Sequence, residues 1–177
     1  MSEHDTIEKI KSKQGILDKI QNFFTLGYGT KEDLRELDKK LRDLMYEDFR
    51  RMRHEWEDIY LEALNEKVAF SGSKLKKVIQ IIDRVMEKVR HADYGYAGLM
   101  DRKGHIREEE LARVLNYDKE LSVDVDNISQ SIDEIYSKIE NEDWTTISSD
   151  VKNVKNLLLA FEDKLQQREE KYRPFEV

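Results

Sequence analysis

The chain has 177 residues, of which 38% are hydrophobic and 39% charged, and it carries a net charge of −7. It contains one proline, seven glycines and no cysteine, so long helices are favoured, and disulfides and thiolate metal sites are excluded. No stretch approaches the roughly 18 apolar residues of a transmembrane helix, and the acidic N-terminus lacks an apolar signal region. We therefore expect one all-α domain over residues 1–177, cytoplasmic and without a transmembrane segment.

Three helices are predicted over residues 5–93. The first begins at Asp5, a capping residue, and ends at Gly27. The second begins after Thr30 and continues without a helix breaker to about Phe70. Its apolar residues recur every three or four positions and are Leu34, Leu37, Leu41, Met45, Phe49, Met52, Trp56, Ile59, Ala63 and Phe70.

The third predicted helix (residues 74–92, the basic helix) has the widest apolar stripe. It follows Ser71, Gly72 and Ser73, a combination typical of a helix stop and restart. The stripe consists of Leu75, Val78, Ile79, Ile82, Val85, Met86 and Val89. A stripe of this width predicts a central position against more than one neighbouring helix.

Residues 105–173 are predicted to form an antiparallel helical hairpin. Two helices, over about 106–141 and 146–172, keep apolar residues at heptad spacing on either side of a short polar break. The two apolar seams are Leu111, Val114, Leu121, Val125, Ile128, Ile132, Ile135 and Ile139, then Trp144, Ile147, Val151, Val154, Leu158, Phe161, Leu165 and Tyr172. The whole chain is therefore predicted to be an elongated antiparallel bundle of about five helices with a C-terminal coiled-coil-like hairpin.

One polar residue interrupts each seam of the hairpin, Asp118 in the first and Arg168 in the second. Burial can tune a carboxyl for acid catalysis, but such a residue more often pairs with a base or fixes the helix register. Arg168 is the candidate partner of Asp118. Because Asp118 is polar, the first helix of the hairpin can also bend or break near residues 116–118.

Charge is distributed unevenly along the chain. Residues 67–107 carry ten basic and four acidic side chains, whereas residues 108–177 carry nine basic and eighteen acidic ones. The basic helix contributes a face with the four residues Lys77, Arg84, Lys88 and His91 (the basic face), and Ile81 falls among them. Such a face can bind nucleic-acid phosphates or an acidic membrane surface. The favoured interpretation is that it is solvated or neutralised by the acidic hairpin of the same chain.

The glycine-rich connection over residues 94–104 is the second candidate for a binding surface. Tyr94 and Tyr96 lie beside glycines and are followed by Arg102 and Lys103, a combination suited to a protein partner or an anionic ligand. Alternatively the connection is only a crossover between helices, in which the tyrosines cover the end of the core.

A weaker candidate is acidic. Glu55, Asp58 and Glu62 recur along one face of the second predicted helix, and carboxylates from bundle helices can hold metal ions. Such sites need paired Glu-x-x-His segments, and no histidine of this chain has a glutamate three residues before it. A solvated acidic face is therefore the favoured interpretation, and no metal or other cofactor is expected.

No nucleophile or acid–base set converges in the sequence, so we expect a non-enzymatic helical scaffold or adaptor that acts through protein–protein interaction. The partner is another protein or a second copy of the chain, and a homodimer fits the long helices. The alternatives are a nucleic-acid-associated protein that uses the basic helix, and a metal-dependent helical hydrolase built on the acidic face.

Overall fold

The computed structural model describes residues 31–66, 71–91 and 108–172. It contains the helices α1 (Lys31–Asn65), α2 (Lys76–His91), α3 (Glu108–Glu140) and α4 (Ile147–Tyr172), with a π-helical turn over Ser71–Leu75 before α2. These ranges include no β-strand, so the all-α prediction is confirmed for them. The first predicted helix and the connection over residues 94–104 lie outside the described residues.

Helix α1 ends earlier than its apolar stripe predicts. It stops at Asn65 rather than near residue 70, and a last backbone hydrogen bond runs from Glu66 N–H to the Glu62 carbonyl. The residues predicted as a break instead belong to the π-helical turn Ser71–Leu75, which leads into α2. The indole N–H of Trp56 donates to the Leu75 carbonyl oxygen at 3.0 Å, which fixes this turn against α1.

The four helices enclose one apolar core. Helix α1 packs against α2 and α3, and α4 packs against the same two helices. The largest core side chains include Leu41, Phe49, Met52, Trp56, Ile59, Ile81, Ile82 and Phe161. Between α1 and α4, the rings of Phe49 and Phe161 lie 5.0 Å apart at 56°. The basic helix, which is α2, therefore has two neighbours, as the width of its apolar stripe predicts.

Neighbouring helices run antiparallel where their contacts fix the direction. In the pair α1 and α2, Arg53 binds Asp83 and Trp56 binds Leu75, so residue numbers rise on one helix as they fall on the other. In the pair α3 and α4, three polar contacts follow the same rule: Asp118 with Arg168, Asp124 with Lys164, and Lys138 with Asp150. Helix α3 is continuous from residue 108 to 140, without a break near 116–118.

The turn between α3 and α4 is a Schellman motif. Asp143 N–H donates to the Lys138 carbonyl oxygen and Glu142 N–H to the Ile139 carbonyl oxygen, both at 2.9 Å. Glu142 has a φ of 57°, the left-handed conformation that this motif requires and that glycine most often supplies. Asp143 then accepts hydrogen bonds from the backbone N–H and hydroxyl of Thr145, which lower the pKa of its carboxyl.

Within the described ranges, the search for a helix that is both long and apolar enough to cross a membrane finds none.

Candidate functional site

The basic face is built into the contact between α2 and α4. Arg84 donates through Nε and Nη2 to the two carboxylate oxygens of Glu162, at 3.1 and 2.7 Å, and Lys88 Nζ lies 3.0 Å from Glu162 Oε1. The Glu162 side chain is only 11% exposed. Hydrogen bonding from Arg84, and then from Lys88, lowers the pKa of Glu162 against the opposing effect of burial. The Glu162 carboxylate therefore forms ion pairs with two cations that lie one helical turn apart on α2.

The burial of Ile81 explains this arrangement. Ile81 is 1% exposed, although in the sequence it falls among the residues of the basic face. Because residues three, four and seven positions apart share a helix face, a buried Ile81 brings Arg84 and Lys88 to the edge of the same contact. Arg84 and Lys88 thus pair with the acidic hairpin of the same chain, and the Arg84 side chain remains 54% exposed.

The other two members of the basic face do not reach a neighbouring helix. His91 Nε2 lies 3.0 Å from Glu87 Oε2, four residues earlier on α2. Lys77 is exposed, and within the described part of the chain it makes no ion pair. The predicted partner-binding residues Tyr94, Tyr96, Arg102 and Lys103 lie outside the described residues.

The three acidic candidate residues on α1 lie in different environments. Arg51 donates to Glu55 Oε1 at 2.9 Å and to Ser129 Oγ on α3 at 2.6 Å, so Glu55 belongs to a polar contact between α1 and α3. Burial raises the pKa of Glu55, and Arg51 opposes this effect. Asp58 and Glu62 are exposed. Among the described residues, no group of three or more His, Asp or Glu side chains is arranged to hold a metal ion.

Asp118 and Arg168 form a buried ion pair. Their side chains are 1% and 3% exposed, and the guanidinium binds both carboxylate oxygens, with Nε–Oδ1 and Nη2–Oδ2 distances of 2.5 and 2.9 Å. The predicted partnership is confirmed. A carboxylate held by both oxygens in this fork is suited to fixing the register of α3 against α4.

A cleft between α1 and α2 was not predicted from the sequence. It has a volume of about 540 Å³, and cationic side chains from both helices line it, Lys39, Arg42 and Arg90, together with the imidazole ring of His91. These residues are about 50 positions apart in the sequence, so only the antiparallel packing of the two helices brings them together. The sequence signal was limited to two short clusters of basic residues.

Comparison of the chain with protein-family models, with curated proteins and with solved structures found no match. Function is therefore inferred from the arrangement of the side chains alone.

Proposed function

We propose that this protein is a non-enzymatic helical scaffold or adaptor that acts in the cytoplasm by binding another protein or a second copy of itself. The complete fold would be an elongated antiparallel bundle of about five helices, in which residues 105–173 form a coiled-coil-like hairpin. The observation that carries the proposal is the joint pairing of Arg84 and Lys88 with Glu162. This pairing uses two cations of the basic face to hold α2 against α4.

The same use of charge recurs at the other helix contacts. Arg53 pairs with Asp83 between α1 and α2, and Lys164 pairs with Asp124 between α3 and α4, at distances of 2.5 and 2.6 Å. Charged side chains therefore accompany the apolar core at each of these helix contacts. This is the property that a rigid scaffold needs, and it leaves the outer surface available for a partner.

Exposed apolar side chains supply the surface for association. On α1, Leu61 is 56% exposed and Leu64 is 42% exposed, and residues three positions apart lie on one helix face. Helix α1 has 35 residues and α2 has 16. At 1.5 Å per residue their lengths are about 52 and 24 Å, so α2 covers less than half of α1. We infer that a second copy of the chain covers this pair of leucines in an isologous dimer.

The alternatives have less support. A nucleic-acid-associated protein would need the basic face, of which Arg84 and Lys88 are already paired with Glu162. A metal-dependent hydrolase would need Glu55, whose Oε1 accepts a hydrogen bond from Arg51.

Sedimentation velocity of the full chain, at concentrations from about 5 to 200 µM, tests the dimer. The expected mass rises with concentration from 21.1 kDa towards twice that value. The double variant Leu61→Ser/Leu64→Ser should remain monomeric. A matched control, Val123→Ser/Tyr136→Ser, removes two other exposed apolar side chains on α3 and should still dimerise. A monomeric wild type, or equal loss in both double variants, would contradict the proposal.

The predicted partner-binding residues are tested in the same experiment. Lys77→Glu, or alanine at both Tyr94 and Tyr96, should weaken association without unfolding the protein. Arg84 and Lys88 are unsuitable probes, since their replacement also removes the ion pairs with Glu162. Association at wild-type strength in both the Lys77 and the tyrosine variants would exclude the basic face and the 94–104 connection from the interface.

A further inference from the structure

The cleft between α1 and α2 shares His91 with the basic face, and it combines a buried floor with a charged rim. Arg42 and Val89 are 7% and 1% exposed and form the floor, and Tyr46 is half-buried beside them. Lys39 and Arg90 are exposed and lie on the rim. A volume of about 540 Å³ falls within the range of small-molecule sites.

Two helices contribute cations to the same space. Because α1 and α2 are antiparallel, the residues that precede Arg53 on α1 lie opposite those that follow Asp83 on α2. The last turn of a helix favours basic residues for its own stability, which accounts for Arg90 and His91 on α2. It does not account for Lys39 and Arg42, which lie far from either end of α1.

The lining has an excess of positive charge. Of the described lining residues, Lys39, Arg42 and Arg90 are cationic, Asp43 is the one carboxylate, and His91 adds a further hydrogen-bonding ring. Arg42 already has an interaction partner within the chain, so the available charge is mainly that of Lys39 and Arg90. Guanidinium and ammonium groups that converge on a cleft are the usual ligands of phosphate oxygens.

We propose that this cleft binds a small molecule that carries a diphosphate or triphosphate group. Arg90 would bind phosphate oxygens through its planar fork, Lys39 would contribute a second point charge, and the hydroxyl or ring face of Tyr46 would contact the remainder of the ligand.

The surroundings favour a small ligand over a polymer. Glu47 and Asp48 follow the cleft on α1, and Glu87 lies just before it on α2. With a net charge of −7, the chain repels a long polyanion beyond the cleft itself. A compact phosphorylated ligand fits inside the positive region and avoids these carboxylates.

Isothermal titration calorimetry of the full chain with inorganic pyrophosphate, ATP and a single-stranded oligonucleotide tests this proposal. Pyrophosphate and ATP should bind with a Kd of about 10 to 100 µM. Arg90→Glu and Lys39→Glu should each weaken binding at least about tenfold, the effect of losing one charge-assisted contact. The control Lys152→Glu makes the same charge change at an exposed position of α4 and should bind as the wild type does.

Absence of binding to both small anions, or equal weakening in all three variants, would overturn the proposal. Tighter binding of the oligonucleotide than of ATP would overturn the assignment to a small molecule. Far-ultraviolet circular dichroism checks that each variant is folded. The Leu61→Ser/Leu64→Ser variant should bind pyrophosphate as the wild type does. The proposal for the cleft and the proposal for the dimer can therefore be contradicted independently.

Discussion

The ion pair of Asp118 and Arg168 is the most completely buried charged contact among the described residues. Removing two charged groups from water costs free energy. Their mutual attraction offsets this cost only while both groups are present. Asp118→Ala should therefore lower the free energy of unfolding by about 3–5 kcal/mol, because Arg168 then remains buried without this carboxylate. Urea denaturation measures the change.

The apolar double variant Asp118→Leu/Arg168→Met is the control for that substitution. It removes both charges and keeps similar volume, so it should lie within about 1–2 kcal/mol of the wild type. If the single and double variants lost the same stability, the pair would act through packing alone rather than through compensated charge.

The contributions of Glu162 and Glu55 to the stability of the fold should depend on pH in opposite directions. The pKa of Glu162 in the fold lies below its ordinary value of 4.5, mainly because Arg84 hydrogen-bonds it. Its ion pairs therefore contribute fully above pH 4.5, and the contribution is lost as the pH falls through the lowered pKa. Burial raises the pKa of Glu55 above 4.5, so its ionisation destabilises the fold, and this cost disappears as the pH falls through the raised value.

Thermal and urea unfolding of Glu162→Gln and Glu55→Gln, measured from about pH 7 to about pH 3, test these signs. The stability advantage of the wild type over Glu162→Gln should shrink as the pH falls. The advantage over Glu55→Gln should grow over the same range. Parallel slopes for the two variants would contradict the environments described for these carboxylates.

At the scale of the elements, the packing of α2 against α4 depends on Glu162. Arg84→Glu places a carboxylate beside a mostly buried one and should destabilise the fold by about 2–3 kcal/mol. Adding Glu162→Gln removes the carboxylate that the new glutamate would repel and should recover part of this loss. Lys77→Glu is the matched control on the same helix, and its effect should stay within about 0.5 kcal/mol because Lys77 is exposed and makes no ion pair within the described residues. Equal losses in Arg84→Glu and Lys77→Glu, measured by urea denaturation, would show that Glu162 has no special role.

Periodicity predicted those features that a single helix determines by itself. The apolar positions of α1, α3 and α4 follow from three- and four-residue spacing, and most of them are buried. The partnership of Asp118 with Arg168 was predictable because each is the polar exception in one of two facing seams. The left-handed conformation at Glu142 was not predictable, since glycine or asparagine usually occupies that position.

Features that depend on two helices distant in sequence were not predictable. In the sequence Ile81 falls among basic residues, since its neighbours at helical spacing are Lys77, Arg84 and Lys88. The positions of basic residues along α2 are the same whether their side chains face water or pair with a neighbouring helix. Only the position of α4 shows which of the two holds. The cleft was missed for the same reason, because its two halves belong to different helices.

At the scale of the whole molecule, the uneven charge distribution has a structural counterpart. The basic helix carries most of the positive charge of residues 67–107, and it packs against α4, which belongs to the acidic C-terminal region. Complementary charge along the chain thus helps to select the neighbours of α2. A protein that uses its cations in this way should have little affinity for polyanions outside a bounded site.

Fluorescence anisotropy of labelled duplex and single-stranded DNA, titrated with the full chain at about 50 and 200 mM salt, tests most directly whether the basic helix serves the bundle or a nucleic acid. If Arg84 and Lys88 are committed to Glu162, the anisotropy should stay flat at both salt concentrations. Tight binding at the lower salt that collapses at the higher one would contradict this and make the basic helix a nucleic-acid surface.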